Sequence, residues 1–142
     1  MKVCTYNGID VVVLIRNEHC PPHVHAGTKD WDARFKFSFW HNGVDHWDVR
    51  PRENAPKTGV IEGLRATLEQ PKNLEKARKL WWRALGTVCL DNKYLDPESY
   101  EVLDGKEAKE GMPSIHSSSF DEARYRTCFH ISGDDEPLEF EL

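Results

Sequence analysis

Apolar and polar positions alternate with a period of two over most of the chain up to Arg50, and that period predicts strands. From Lys2 to Arg16, two β-rich runs flank Asn7-Gly8, a dipeptide that populates φ > 0 and closes a tight hairpin. Val11, Val13 and Ile15 fall on one face of the second run and Val12 and Leu14 on the other, so it is apolar on both sides and reads as a central strand. Ala33, Phe35, Phe37 and Phe39 then alternate with Arg34, Lys36 and Ser38, giving one face to a core and the other to water. After a second Asn-Gly turn at Asn42-Gly43, the residues Val44, His46, Asp48 and Arg50 alternate against Asp45, Trp47 and Val49, which makes a second hairpin. Pro51 and Pro56 end it, since proline cannot donate to a ladder.

The period then changes to about 3.6. Ile61, Leu64 and Leu68 recur at helical spacing behind a Thr58 cap, with Pro71 as the stop. A second helix is predicted from about Asn73, with Leu74, Ala77, Trp81, Leu85 and Val88 on its apolar stripe. Gly86 breaks it, and Thr87 to Leu90 is β-branched enough to form a strand, which takes Val88 off the stripe. Asp96-Pro97-Glu98 predicts a short third helix running to about Leu103. Gly105 to Ser114 is polar and loop-like, and Ile115–Phe120, Arg124–Ile131 and Leu138–Leu142 read as two or three closing strands. The predicted fold is therefore α+β: an antiparallel sheet with a packed helical pair and a C-terminal β-hairpin. Residues 1–142 form one domain, with a sheet in 1–50, a helical segment in 58–104 and strands in 115–142.

Composition supports a folded, water-borne chain. At 142 residues, a single domain buries about two-thirds of its unfolded surface and needs no staple. The 39% hydrophobic content and five tryptophans exclude a disordered class. The longest apolar stretch, Val11 to Ile15, is far too short for a bilayer of about 20 residues. With no apolar leader at the N-terminus, the expectation is a cytoplasmic protein without a membrane partner. Cys4, Cys20, Cys89 and Cys128 lack Cys-x-x-Cys spacing, which predicts reduced thiols, with Cys4 and Cys89 as ordinary buried ones. The net charge of −5 belongs to the ending, where Asp134, Asp135, Glu136, Glu139 and Glu141 stand without a base. The remainder is neutral, which disfavours nucleic acid as a partner and leaves only a local basic patch around Arg50, Arg52, Lys57 and Arg65. The acidic ending alternates like a solvated edge strand, a reading that outweighs mimicry of nucleic acid in a partner's groove.

The chemistry concentrates in Glu18-His19-Cys20-Pro21-Pro22-His23-Val24-His25-Ala26-Gly27. Two prolines stiffen the entry to His23, and an extended His23-Val24-His25 puts both imidazoles on one face, roughly 7 Å apart. His19, Cys20, His23 and His25 are the candidate ligands for a divalent transition metal such as zinc, with a fourth ligand drawn from Cys128, His130, Asp30 or His116. The competing reading, a hydrogen-bonded structural histidine pair, ranks above it because structural zinc sites usually show two ligand pairs. A catalytic reading makes His23 or His25 the base, with Glu18, Asp30, Arg34 or His46 as acid or anion stabiliser and Arg50 and Arg52 as phosphate holders. Trp81 lies on the helical stripe and is predicted core. Trp82 points about 100° away and is either covered by a further strand or serves as an anchor for a partner protein.

The string Pro21-Pro22-His23-Val24-His25-Ala26, behind a β-run and ahead of a Phe-rich hairpin and a helix, resembles the signature Asn-Pro-Pro-His-Phe-His-Ala of the domain-of-unknown-function 4160 family of small bacterial and phage proteins. Pro21, Pro22, His23, His25 and Ala26 match, while Cys20 and Val24 depart. The likeness covers roughly Met1 to Arg50. Such proteins are often encoded in toxin–antitoxin-like neighbourhoods and have no agreed activity. The resemblance gives a fold and a site without a reaction, and the leading expectation is a non-enzymatic binding or regulatory module of a bacterial or mobile-element locus that meets a macromolecule, a protein by preference, through the Pro-Pro-His-x-His edge. Pro21, Pro22, Asp30, Arg34 and Trp82 are the predicted contact residues. The alternative is a small metal-assisted hydrolase or ribonuclease using His23 and His25.

Overall fold

A computed structural model describes residues 1–134 and 136–142, so Asp135 of the acidic ending lies outside the described residues. The fold is α+β. The chain divides into two compact units, Met1–Leu85 and Gly86–Leu142.

The first unit carries β1 (Lys2–Tyr6), β2 (Ile9–Val12), β3 (His23–Gly27), β4 (Asp32–Lys36) and β5 (Asp45–Arg50), followed by a 3₁₀ turn at Arg52–Asn54, α1 (Thr58–Glu69) and α2 (Pro71–Leu85). The five strands form one antiparallel sheet in sequence order. Asn7 and Gly8 hold φ of 46° and 79°, the left-handed pair that the tight β1–β2 turn requires. β2 lies inside the sheet, as its two-sided apolar pattern predicts, but it ends at Val12; Leu14 and Ile15, predicted to continue it, are exposed. The second hairpin is real, although its ends are joined by residues 37–44 rather than by a tight Asn42-Gly43 turn.

Because side chains alternate across a strand, register sorts the residues into two faces. Val11 faces Ala26, Val24 faces Phe35 and Ala26 faces Ala33, and all of these are buried. The opposite face carries the row Val12, His25, Arg34 and Asp48, with His23 opposite Lys36. The apolar stripes of the helices are as predicted, with Leu64 and Leu68 of α1 and Leu74, Ala77 and Trp81 of α2 buried. Both helices pack against β1. Gly63 permits that approach, since a Cβ there would overlap the Tyr6 ring. Thr58 does not cap α1: the cap position is Lys57, without a side-chain hydrogen bond. Pro71 opens α2 at a first-turn position that suits its missing N–H, instead of merely stopping α1. Arg78, buried on α2, donates to the carbonyls of Ser38 and His41 and to Asn42 Oδ1, all near 2.9 Å, and so ties down the loop between β4 and β5.

The second unit holds β6 (Tyr94–Leu95), β7 (Val102–Leu103), β8 (Ile115–Asp121), β9 (Arg126–Ile131) and β10 (Leu138–Glu141). The last three form a sheet of their own in the order β10-β9-β8, over a core that includes Ile115, Phe120 and Phe129. The predicted helix after Asp96 does not form. Asp96 Oδ1 instead accepts from the N–H groups of Glu98 and Ser99, an Asx turn between β6 and β7. Residues 87–90 form no strand either. β10 is an acidic edge strand, and Glu139 holds Arg124 through two contacts of 2.7 Å.

Candidate functional site

The site lies on the polar face of the first unit's sheet. Residues 13–22 leave β2 without strand pairing and bring Glu18 close to that face. Pro22 is buried, and its carbonyl accepts from the Phe37 N–H at 3.0 Å, so the proline pair is latched to the far end of the β3–β4 hairpin. His23 and His25 then fall on one side of β3, with ring centroids 5.3 Å apart.

Their polar contacts fix where the hydrogens sit. His23 Nδ1 is 2.8 Å from the Pro21 carbonyl, which can only accept, so Nδ1 carries the hydrogen. His25 Nδ1 is 3.0 Å from Asp32 Oδ2, another acceptor, and the same assignment applies. In the neutral rings both Nε2 atoms therefore present lone pairs, and both point at one carboxylate: His23 Nε2 to Glu18 Oε2 at 2.5 Å and His25 Nε2 to Glu18 Oε1 at 3.1 Å. Lone pair against carboxylate is repulsive. Something positive must mediate, either a second proton on each ring or one cation shared by all three groups. The Glu18 and Asp32 carboxylates offset the repulsion between protonated rings, and one cation would equally meet every acceptor at once. One ligand atom from each of Glu18, His23 and His25 lies within 4.8 Å of the other two.

The surroundings stiffen this cluster. His23 is 3% exposed. Trp47 meets its ring edge-on and Trp81 lies tilted against it, each at 5.3 Å. The Arg34 guanidinium sits 3.9 Å over Trp47 and makes a two-pronged pair with Asp48. That pair holds the Asp48 carboxyl below its usual range, with burial opposing. The Asp32 hydrogen bond raises the His25 imidazole above its ordinary value against the effect of burial, and the Asp32 and Glu18 charges add to the rise. An open cleft of about 280 Å³, lined by His25, Asp32, Asp10, Thr28 and Val12 among others, adjoins the His25 side.

Of the residues predicted to ligate a metal, His23 and His25 come together, and His19 and Cys20 do not join them. Among the described residues the one metal-capable group is Glu18, His23 and His25, so Asp30, His116, Cys128 and His130 also fall outside it. Cys20 is disulfide-bonded, which removes the thiolate a metal would need, and Cys89 is disulfide-bonded too. The expectation of four reduced thiols therefore fails for those two. Cys4 and Cys128 are free, and burial pushes both thiols up. Asp30 is exposed in the β3–β4 turn, Pro21 is exposed and Trp82 is half-buried, while Trp81 is core as predicted. Arg34 is near the site but spends its charge on Asp48.

Glu18 was legible only as an acid for catalysis, because nothing periodic links a loop residue to a strand five positions on. Asp32 was missed, although the hairpin pairing of Gly27 with Asp32 and His25 with Arg34 places it diagonally beside His25. No family model matches the chain, and comparison with curated proteins and with solved structures likewise gives no match. The resemblance to the domain-of-unknown-function 4160 family thus rests on the Pro21–Ala26 string alone.

Proposed function

We propose that the protein is a small metal-dependent hydrolase whose centre is one divalent ion, zinc by preference, held by Glu18 and the Nε2 atoms of His23 and His25. The single observation behind this reading is the convergence of both Nε2 atoms on one carboxylate, with both Nδ1 atoms facing acceptors elsewhere. Two histidines and one glutamate are a ligand set of catalytic zinc, which keeps its fourth position for water or a substrate atom and lowers the pKa of bound water to about 7. The non-enzymatic reading, contact with a partner along the Pro-Pro-His-x-His segment, has less support because β3 is an interior strand, paired with β4 along its length and with β2 at His25 and Ala26.

Metal-stripped protein dialysed against zinc tests the proposal. One equivalent taken up by the wild type and lost in the His23→Ala, His25→Ala double variant supports the centre. Hydrolysis of ester, amide or phosphodiester reporters by the loaded wild type alone supports the reaction. Absence of uptake discards both, and uptake without turnover on any reporter discards the hydrolase.

A further inference from the structure

The two histidines are oriented by different means, and the difference points to a further residue. His23 is fixed by a main-chain carbonyl, that of Pro21, which no side-chain substitution removes. His25 is fixed by a side chain, Asp32, the first residue of β4. In the β3–β4 ladder Asp32 sits opposite Gly27, and the backbone is so close there that a Cβ on Gly27 would collide with the Trp31 carbonyl. This close turn brings the Asp32 carboxylate back over the strand to His25 Nδ1. The carboxylate is half exposed.

We infer, on the strength of the metal reading above, that Asp32 is a positioning residue. By accepting from His25 Nδ1 it keeps the hydrogen on that nitrogen and leaves Nε2 bare and aimed at the ion shared with Glu18. Carboxylates that receive the outer N–H of a ligating histidine set both ring orientation and tautomer, and their loss typically weakens metal binding about 10- to 100-fold. Asparagine at this position is the sharper probe, because its amide can donate to Nδ1. With the Glu18 carboxylate accepting at Nε2, an amide turned to donate to Nδ1 moves the hydrogen to Nε2 and blocks the ligand atom.

The test uses the full chain carrying Asp32→Asn, with Asp32→Ala as a second variant and Asp45→Asn as an exposed control on β5. Long-range proton–nitrogen NMR, taken above the pH at which the His25 ring loses its second proton, reads the His25 tautomer in metal-free protein. Competition with a chromophoric chelator reads zinc affinity. The expected result is an Nδ1–H tautomer in the wild type, a shift toward Nε2–H in Asp32→Asn, and zinc binding weakened about 10- to 100-fold in both Asp32 variants with Asp45→Asn unchanged. A wild type that binds zinc while Asp32→Asn keeps the same tautomer and affinity overturns the inference. A wild type that binds no zinc while Asp32→Asn still flips the tautomer overturns the metal reading and leaves the orienting role standing.

Discussion

Replacing Glu18 by glutamine separates a metal centre from a purely structural network, because the two accounts give opposite results in metal-free protein. If Glu18 exists to pair with protonated rings, Glu18→Gln forfeits two hydrogen bonds to charged groups. At about 1.5–3 kcal/mol each, that amounts to roughly 3–6 kcal/mol. If the rings are neutral and wait for an ion, the carboxylate faces two lone pairs, and an amide that donates to one of them relieves repulsion. Metal-free Glu18→Gln should then match the wild type to within about 1 kcal/mol or exceed it. The metal-loaded comparison runs the other way. Zinc at a hundred times its Kd should stabilise the wild type by about 2.7 kcal/mol, and Glu18→Gln should lose nearly all of that gain. Urea denaturation followed by tryptophan fluorescence is suited to this, since all five tryptophans lie between Trp31 and Trp82, within the first unit. The measurement belongs at about pH 7, close to the ordinary imidazole value, because two units higher the protonated-ring account would lose about 2.7 kcal/mol per ring to deprotonation. A metal-free variant weakened by about 3 kcal/mol or more would refute the reasoning, as would one that keeps the zinc-linked gain.

The surrounding structure sets further expected outcomes. Arg78→Leu should destabilise the first unit by about 3–5 kcal/mol in the same urea assay, because it orphans the Ser38 and His41 carbonyls that the buried Arg78 side chain serves. Asp48, whose carboxyl is held down by Arg34, should contribute stability that is full above the unfolded value of about 3.9 and is lost as pH falls through the lower folded value. Asp48→Asn should accordingly flatten the stability–pH slope below about pH 4, read by fluorescence. Gly63→Ala should destabilise by displacing the Tyr6 ring, whereas in a Tyr6→Ala background it should stabilise by up to about 1 kcal/mol, the helix preference of alanine.

How much of this was legible in the sequence depends on the range of the interaction. Period-two and period-3.6 patterns act over a few residues, so the hairpin at Asn7-Gly8, the buried alternation of Ala33, Phe35, Phe37 and Phe39, although the strand itself stops at Lys36, and the stripes carrying Leu64, Leu68, Leu74 and Trp81 were readable directly. So was the placement of His23 and His25 on one face, which needs only an extended backbone. Asp96-Pro97-Glu98 misled because the residues that cap a helix also close an Asx turn, and here the chain pairs Tyr94-Leu95 with Val102-Leu103 instead of coiling on. The ligand set escaped for a different reason. Cys20 is close to His23 in sequence, yet its sulfur is taken by a disulfide, and Glu18 reaches the rings through an irregular segment that no periodicity describes. Asp32 needed the ladder register, which depends on where the 28–31 turn closes. Arg78 reads as one more charge on a helix until the carbonyls it serves, nearly forty residues earlier, are brought beneath it.

The identity of the ligands is the point on which everything else depends, and X-ray absorption at the zinc edge of the loaded full-length chain addresses it directly. The geometry of Glu18, His23 and His25 calls for imidazole nitrogens at about 2.0–2.1 Å with an oxygen shell at about 2.0–2.2 Å and no sulfur. A sulfur scatterer near about 2.3 Å would place a cysteine on the ion. That result, or a spectrum without the outer-shell scattering of two imidazole rings, would contradict the assignment.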